Sequence, residues 1–133
     1  MNYSASHSSK PTLLSVIELG GYPSFSPLYQ KVGYTVESVT SVRKALDLLK
    51  KINPRVIVAE FNFQSDFRDR TSSLESLLAA VQRIADTKVI IFYEKDHAHQ
   101  LAKLTARFPV YETLAFPIDP AQLEASLRRA QTA

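Results

Sequence analysis

The sequence predicts one α/β domain, a five-stranded parallel sheet doubly wound by helices into three layers (α/β/α), and three observations carry that expectation. Strand-length apolar runs alternate with longer segments whose apolar residues recur every three or four positions. Three of the runs, Arg55–Glu60, Lys88–Tyr93 and Tyr111–Phe116, are apolar with little interruption, as strands covered on both faces are. Helix-start signals stand where the period changes: Ser41, Ser72 with Glu75, and Asp119 before Pro120. Parallel strands need long crossover connections, so the alternation puts helices on both sides of a sheet.

Residues 1–11 are Ser-rich and polar, too poor in apolar groups to offset their ordering entropy, and are expected to form a disordered leader to a domain over 12–133. Leu13–Ile17 reads as the first strand; Gly20, Gly21, Pro23 and Pro27 break it, and a short helix follows Pro27. Gly33-Tyr34 ends that segment, and Thr35–Val39 alternates as the second strand. Ser41 caps a helix whose Val42, Ala45, Leu46, Leu49 and Ile52 share one face, and Asn53-Pro54 stops it and launches the third strand. A long polar and aromatic connection follows from Phe61 to Thr71. The Ser72/Glu75 capping box opens a helix carrying Leu74, Leu77, Leu78, Val81 and Ile84. After the fourth strand, a less amphipathic helix from about Ala98 to Phe108 carries Leu101 and Leu104, with Asp96 as its cap. The last strand leads to Asp119-Pro120, whose helix is boxed by Gln122 and turns Leu123 and Leu127 inward.

With 133 residues, 45% hydrophobic and 22% charged, the chain has the balance of a single core, and no attached output domain is expected. The absence of cysteine excludes a disulfide framework and a thiolate metal site and suits a cytoplasmic location. No apolar run approaches the roughly 18 residues of a membrane span, and the amino terminus has no charged-then-apolar signal pattern. The net charge of +3 comes from Lys and Arg scattered among acids, so nucleic-acid binding is not expected.

Ligands of open α/β sheets gather beyond the carboxyl ends of the strands. Glu60, Tyr93 and Phe116-Pro117 stand there, a poor reactive set. His97 and His99, near Asp96 and Glu94, point to different faces of a helix and suggest no third metal ligand. Gly20-Gly21 lacks the helix start a phosphate cradle needs, and no Gly-x-Ser-x-Gly elbow presents a nucleophile.

From Thr12 to Arg129 the chain resembles the receiver domain of bacterial response regulators, which has flavodoxin-like strand order. Gly33-Tyr34-Thr-Val36 is similar to the family's Gly-Tyr before strand two, Asn53-Pro54-Arg-Val-Ile-Val-Ala-Glu60 to its apolar run ending in the phosphoacceptor, and Phe116-Pro117-Ile-Asp-Pro120 to its Lys-Pro turn. The resemblance implies an acidic pair after strand one that helps hold magnesium; Ile17-Glu18-Leu19-Gly20 supplies one carboxylate at most, which weakens a site built from hard oxygen ligands. The phosphoacceptor falls on Glu60, one methylene too long. The small hydroxyl that follows the phosphoryl group falls on Tyr93, and the phosphate-pairing lysine on Phe116, which neither donates a hydrogen bond nor carries charge.

Glu60 then has two readings: a permanent charge standing in for an aspartyl phosphate, or a polar residue at an exposed strand end. Without the lysine and small hydroxyl the second is preferred. Tyr93 and Phe116 are expected to pack together over the strand ends. Phe61, Phe63 and Phe67 either tuck under their loop or form a charge-rimmed apolar patch that docks a partner. By resemblance, Lys103, Arg107, Tyr111, Arg128 and Arg129 lie near the helix 4, strand 5 and helix 5 face, a candidate surface for a homodimer or another signalling protein, although their default reading is an ordinary solvated face. The sequence thus reads as a degenerate pseudo-receiver, not an enzyme and needing no cofactor or metal. The alternative is an atypical receiver or small-ligand sensor that contacts its ligand through Glu60 and Tyr93 in the strand-end cavity.

Overall fold

The structure is a computed structural model that describes residues 10–17, 24–61, 74–84 and 86–132. Strands β1 (Thr12–Val16), β2 (Thr35–Val39), β3 (Val56–Glu60), β4 (Lys88–Tyr93) and β5 (Glu112–Ala115) form one parallel sheet in the order β2-β1-β3-β4-β5. Helices α1 (Ser26–Val32), α2 (Val42–Leu49), α3 (Leu74–Val81), α4 (Ala98–Arg107) and α5 (Pro120–Thr132) alternate with the strands. The expected doubly wound order is therefore the observed one.

Alternation along the strands divides the apolar residues between two cores. Leu14, Val16, Ile57, Ala59, Val89 and Ile91 face α2, α3 and α4, where Ala45, Leu77, Leu78 and Leu101 meet them. Leu13, Val56, Val58, Ile90, Phe92 and Leu114 face α1 and α5, against Tyr29, Val32, Leu123 and Leu127. All five residues of β3 are buried because that strand is central and covered from both sides. The edge strand β2 is the most exposed, which fits its alternating Thr-Val-Glu-Ser-Val sequence.

Most helix ends follow the signals in the sequence. The Ser41 side chain accepts from the Lys44 N–H at 3.1 Å and caps α2. Asp119 Oδ1 accepts from the Ala121 N–H at 2.9 Å at the start of α5. Gly33 ends α1 at φ 114°, where any Cβ would be strained and would also approach Gln131 Nε2 at 3.3 Å. The cap of α4 differs from expectation. A 3₁₀ turn, Lys95–His97, precedes the helix and makes His97 the N-cap residue, so Asp96 sits inside that turn and is not the cap. Ser72, the expected cap of α3, lies outside the described residues, as do residues 1–9 of the leader. Pro11 is already tied to the sheet, its carbonyl accepting from the Thr35 N–H at 2.8 Å.

Polar ties fix α5 to the rest. The buried Tyr34 hydroxyl donates to the Leu127 carbonyl at 2.7 Å, and Arg55 Nη1 donates to the Gln131 carbonyl at 2.9 Å. The Ser126 hydroxyl, 1% exposed, donates to Glu112 Oε1 at 2.9 Å, and Arg129 reaches the same oxygen at 3.2 Å. Burial pushes the Tyr34 phenol up to about 12, the nearby Arg55 charge partly opposing the shift. A phenol whose pKa is higher folded than unfolded stabilises the fold below its unfolded value near 10 and loses that contribution as pH rises toward 12. Tyr34→Phe is therefore expected to cost about 1 kcal/mol at neutral pH and to flatten the decline in stability above pH 10, measured by urea unfolding across that range.

Candidate functional site

Register places the carboxyl-end residues in rows. On the α1/α5 face one row runs Ser38, Ser15, Val58, Ile90, Glu112, each the partner of its neighbour. The next row outward is Glu60, Phe92, Leu114. Ile17, one residue past the Val16–Ala59 pair, stands on the other side of Glu60.

Glu60 is buried, 9% exposed, beside Phe92. The exposed strand end expected for it is not what the fold provides, because the row packs under α1 and α5. Tyr93 is half-buried and packs against the α2–α4 core, on the opposite face from Phe92. Phe116 follows β5 with its N–H donating to the Tyr93 carbonyl at 2.8 Å, and the Phe116–Pro117 peptide bond is cis. The sheet thus brings Glu60, Tyr93 and Phe116 to one edge but divides Glu60 and Tyr93 between its faces.

An aromatic contact near the strand ends involves a residue that sequence reasoning passed over. Phe25, the N-cap residue of α1, meets Phe92 edge-on with ring centroids 5.9 Å apart at 75°. It also lies 6.5 Å from Tyr29, whose phenol is pushed well up by burial. The available signal was an aromatic residue immediately before Ser26-Pro27, at a helix start beside the strand ends.

A cavity of about 230 Å³ opens between this aromatic group and the ends of β1 and β2. Ser15, Ile17, Phe25, Tyr29, Ser38 and Phe92 line it, while Glu60 and Tyr93, the contacts expected of a strand-end ligand site, do not. At the amino end of the sheet a second hollow of about 290 Å³ is bounded by Val81, Ile84, Val110 and Tyr111. Lys88 Nζ stands 5.9 Å from the Tyr111 ring centre there.

The residues assigned to a partner surface separate. Phe61 is 5% exposed and belongs to the α2–α4 core, so it cannot contribute to an open docking patch; its position one residue past β3 continues the strand alternation. Phe63 and Phe67 lie outside the described residues, as does Glu18. Lys103 and Arg107 are exposed on α4, with Arg107 pairing to Glu75 of α3 at 3.0 Å and lying 5.1 Å from the Phe108 ring centre. Tyr111 is half-buried against the α1/α5 core. Arg128 donates twice to Glu124 Oε2, at 2.9 and 2.8 Å, and that contact, more than Lys31 at 3.6 Å, lowers the Glu124 carboxyl from its ordinary range. Among the described residues no three His, Asp or Glu side chains gather as a metal site.

The chain is similar in fold to the signal receiver domain of an HD domain-containing protein from Pseudomonas fluorescens Pf-5, with TM-score 0.73, 19% identity, and 92% of this chain and 95% of that one covered. A response regulator receiver domain from Clostridium thermocellum gives TM-score 0.70 at 17% identity over 91% and 94% of the two chains. A chemotaxis response regulator of Vibrio cholerae gives 0.70 at 19% identity over 91% and 98%. No family model and no curated protein matches the sequence. At these identities the likeness is one of fold: a flavodoxin-like sheet of five parallel strands, as in receiver domains.

The Phe25–Phe92 contact is expected to hold α1 on the sheet. A double-mutant cycle with Phe25→Leu and Phe92→Leu should return a coupling of about 1 kcal/mol by chemical unfolding, whereas Phe25→Leu paired with Leu101→Ala on the other face should be additive.

Proposed function

We propose that the chain is a receiver-like domain that works without phosphotransfer, as a protein-interaction module in bacterial signal transduction, in the cytoplasm. The reading rests on the residues at the carboxyl ends of β3, β4 and β5. Where receiver domains place an aspartate, a small hydroxyl and a lysine, this chain has Glu60, Tyr93 and Phe116. Glu60 is buried beside Phe92, Tyr93 belongs to the opposite core, and Phe116 has no charge or side-chain donor for a phosphoryl oxygen.

Phosphoryl transfer depends on positioned charge around the moving group, so a hydrophobic ring in place of the cation and a glutamate shifted by a methylene together remove most of that stabilisation. Glu60 is best read as an acid held in the fold, not as a mimic of the phosphorylated state, because the groups that would convert its charge into a movement are missing. The surface retained for a partner is that of α4, β5 and α5, where Lys103, Ala106 and Arg128 are exposed. It suits a second copy of the chain or another signalling protein. None of the described helices is long and apolar enough to cross a membrane.

Incubation with acetyl phosphate and magnesium, followed by intact-mass measurement, is expected to leave the mass unchanged. An added phosphoryl group mapped to Glu60 would overturn the reading.

A further inference from the structure

A central parallel strand covered on both faces is normally apolar throughout. β1 departs from that rule at one interior place. Leu13, Leu14 and Val16 are at most 1% exposed, but Ser15 stands between them and faces the α1 side. Its partner in β2 is also a serine, Ser38. The two hydroxyls lie in register on the floor of the 230 Å³ cavity, and Ser24, Ser26 and Thr40 add three more at its rim.

Among the described residues none of these five hydroxyls is hydrogen-bonded to another side chain or to a carbonyl, and none is sealed off from the cavity. Opposite them are the rings of Phe25, Tyr29 and Phe92. The described wall thus combines three rings and the aliphatic Ile17 and Val39 with five hydroxyl groups, and no charged side chain is among its described residues. Among the described residues a charged ligand would lose its hydration there without meeting a counter-charge. A purely apolar one would leave the serines without partners. An apolar cavity of about 150 Å³ accepts benzene, so 230 Å³ suits one six-membered ring with a few substituents.

From this we infer that the cavity between α1 and the ends of β1 and β2 is a binding site for a small uncharged six-membered ring bearing hydroxyl groups. The rings of Phe25 and Phe92 cover the body of the ligand, and Ser15 and Ser38 hydrogen-bond its hydroxyls. The site neither uses Glu60 nor depends on whether that residue is phosphorylated, so it stands apart from the function proposed above.

The inference is tested on the full chain by ¹H–¹⁵N correlation spectra during titration with resorcinol, with myo-inositol, and with benzoate as a charged ring of similar size. Saturable shifts at the amides of Ser15, Phe25, Ser38 and Thr40 with either ring alcohol, and none there with benzoate, are expected; resorcinol alone marks an aromatic ligand, myo-inositol alone an alicyclic one. Ser15→Val should weaken that binding about tenfold, the loss of one hydrogen bond from a half-buried hydroxyl. Ser38→Val, on the exposed edge strand, gives the same test if the central substitution impairs folding. No saturable shift with either alcohol, equal shifts with benzoate, or unchanged affinity in both serine variants would overturn the assignment.

Discussion

The arrangement depends on the burial of β3 from both sides. Five consecutive residues, Val56 to Glu60, are shielded, and their backbone groups are paired on one side with β1 and on the other with β4. Such a strand needs cover on each face and a paired strand at each edge, and here helices on both sides of the sheet supply the cover. Its alternation then decides which residues serve which core: Ile57 and Ala59 toward α2, α3 and α4, Val56 and Val58 toward α1 and α5. By the same count the last residue, Glu60, is carried into the α1/α5 layer beside Phe92.

That placement also sets Glu60 apart from Tyr93 at the strand ends. Glu60 and Tyr93 sit on neighbouring strands but one register step apart, so the pleat sends them to opposite faces. Phe25 of α1 meets Phe92, the register partner of Glu60, and the described wall of the cavity near β1 and β2 carries both hydroxyls and rings.

Much of the fold was legible in the sequence because periodicity and caps report burial directly. Thr35–Val39 and Lys88–Tyr93 are strands with the bounds their patterns imply, and Ser41 and Asp119 accept the helix-start hydrogen bonds expected of them. Asp96 was misread because a 3₁₀ turn inserts one more turn of chain before α4, a shift that side-chain type alone does not reveal. The site was less legible, for a physical reason: which residues meet depends on register between strands distant in sequence. Phe61 looked like part of a surface loop but completes the alternation of β3, and Phe25 reaches Phe92 across 67 positions of chain. Ser15 carried a visible signal, a hydroxyl in a strand that should have none, whose meaning appears only once Ser38 is seen beside it.

We propose that this fold persists without the phosphoryl-binding chemistry of receiver domains. It is tested most directly by titrating the protein with beryllofluoride and magnesium, a stable analogue of an acyl phosphate, while following backbone amide resonances. No saturable change at Glu60, Tyr93 or Phe116, or on α4 and β5, is expected. Saturable shifts at Glu60 that extend to Lys103 and Tyr111 would contradict it.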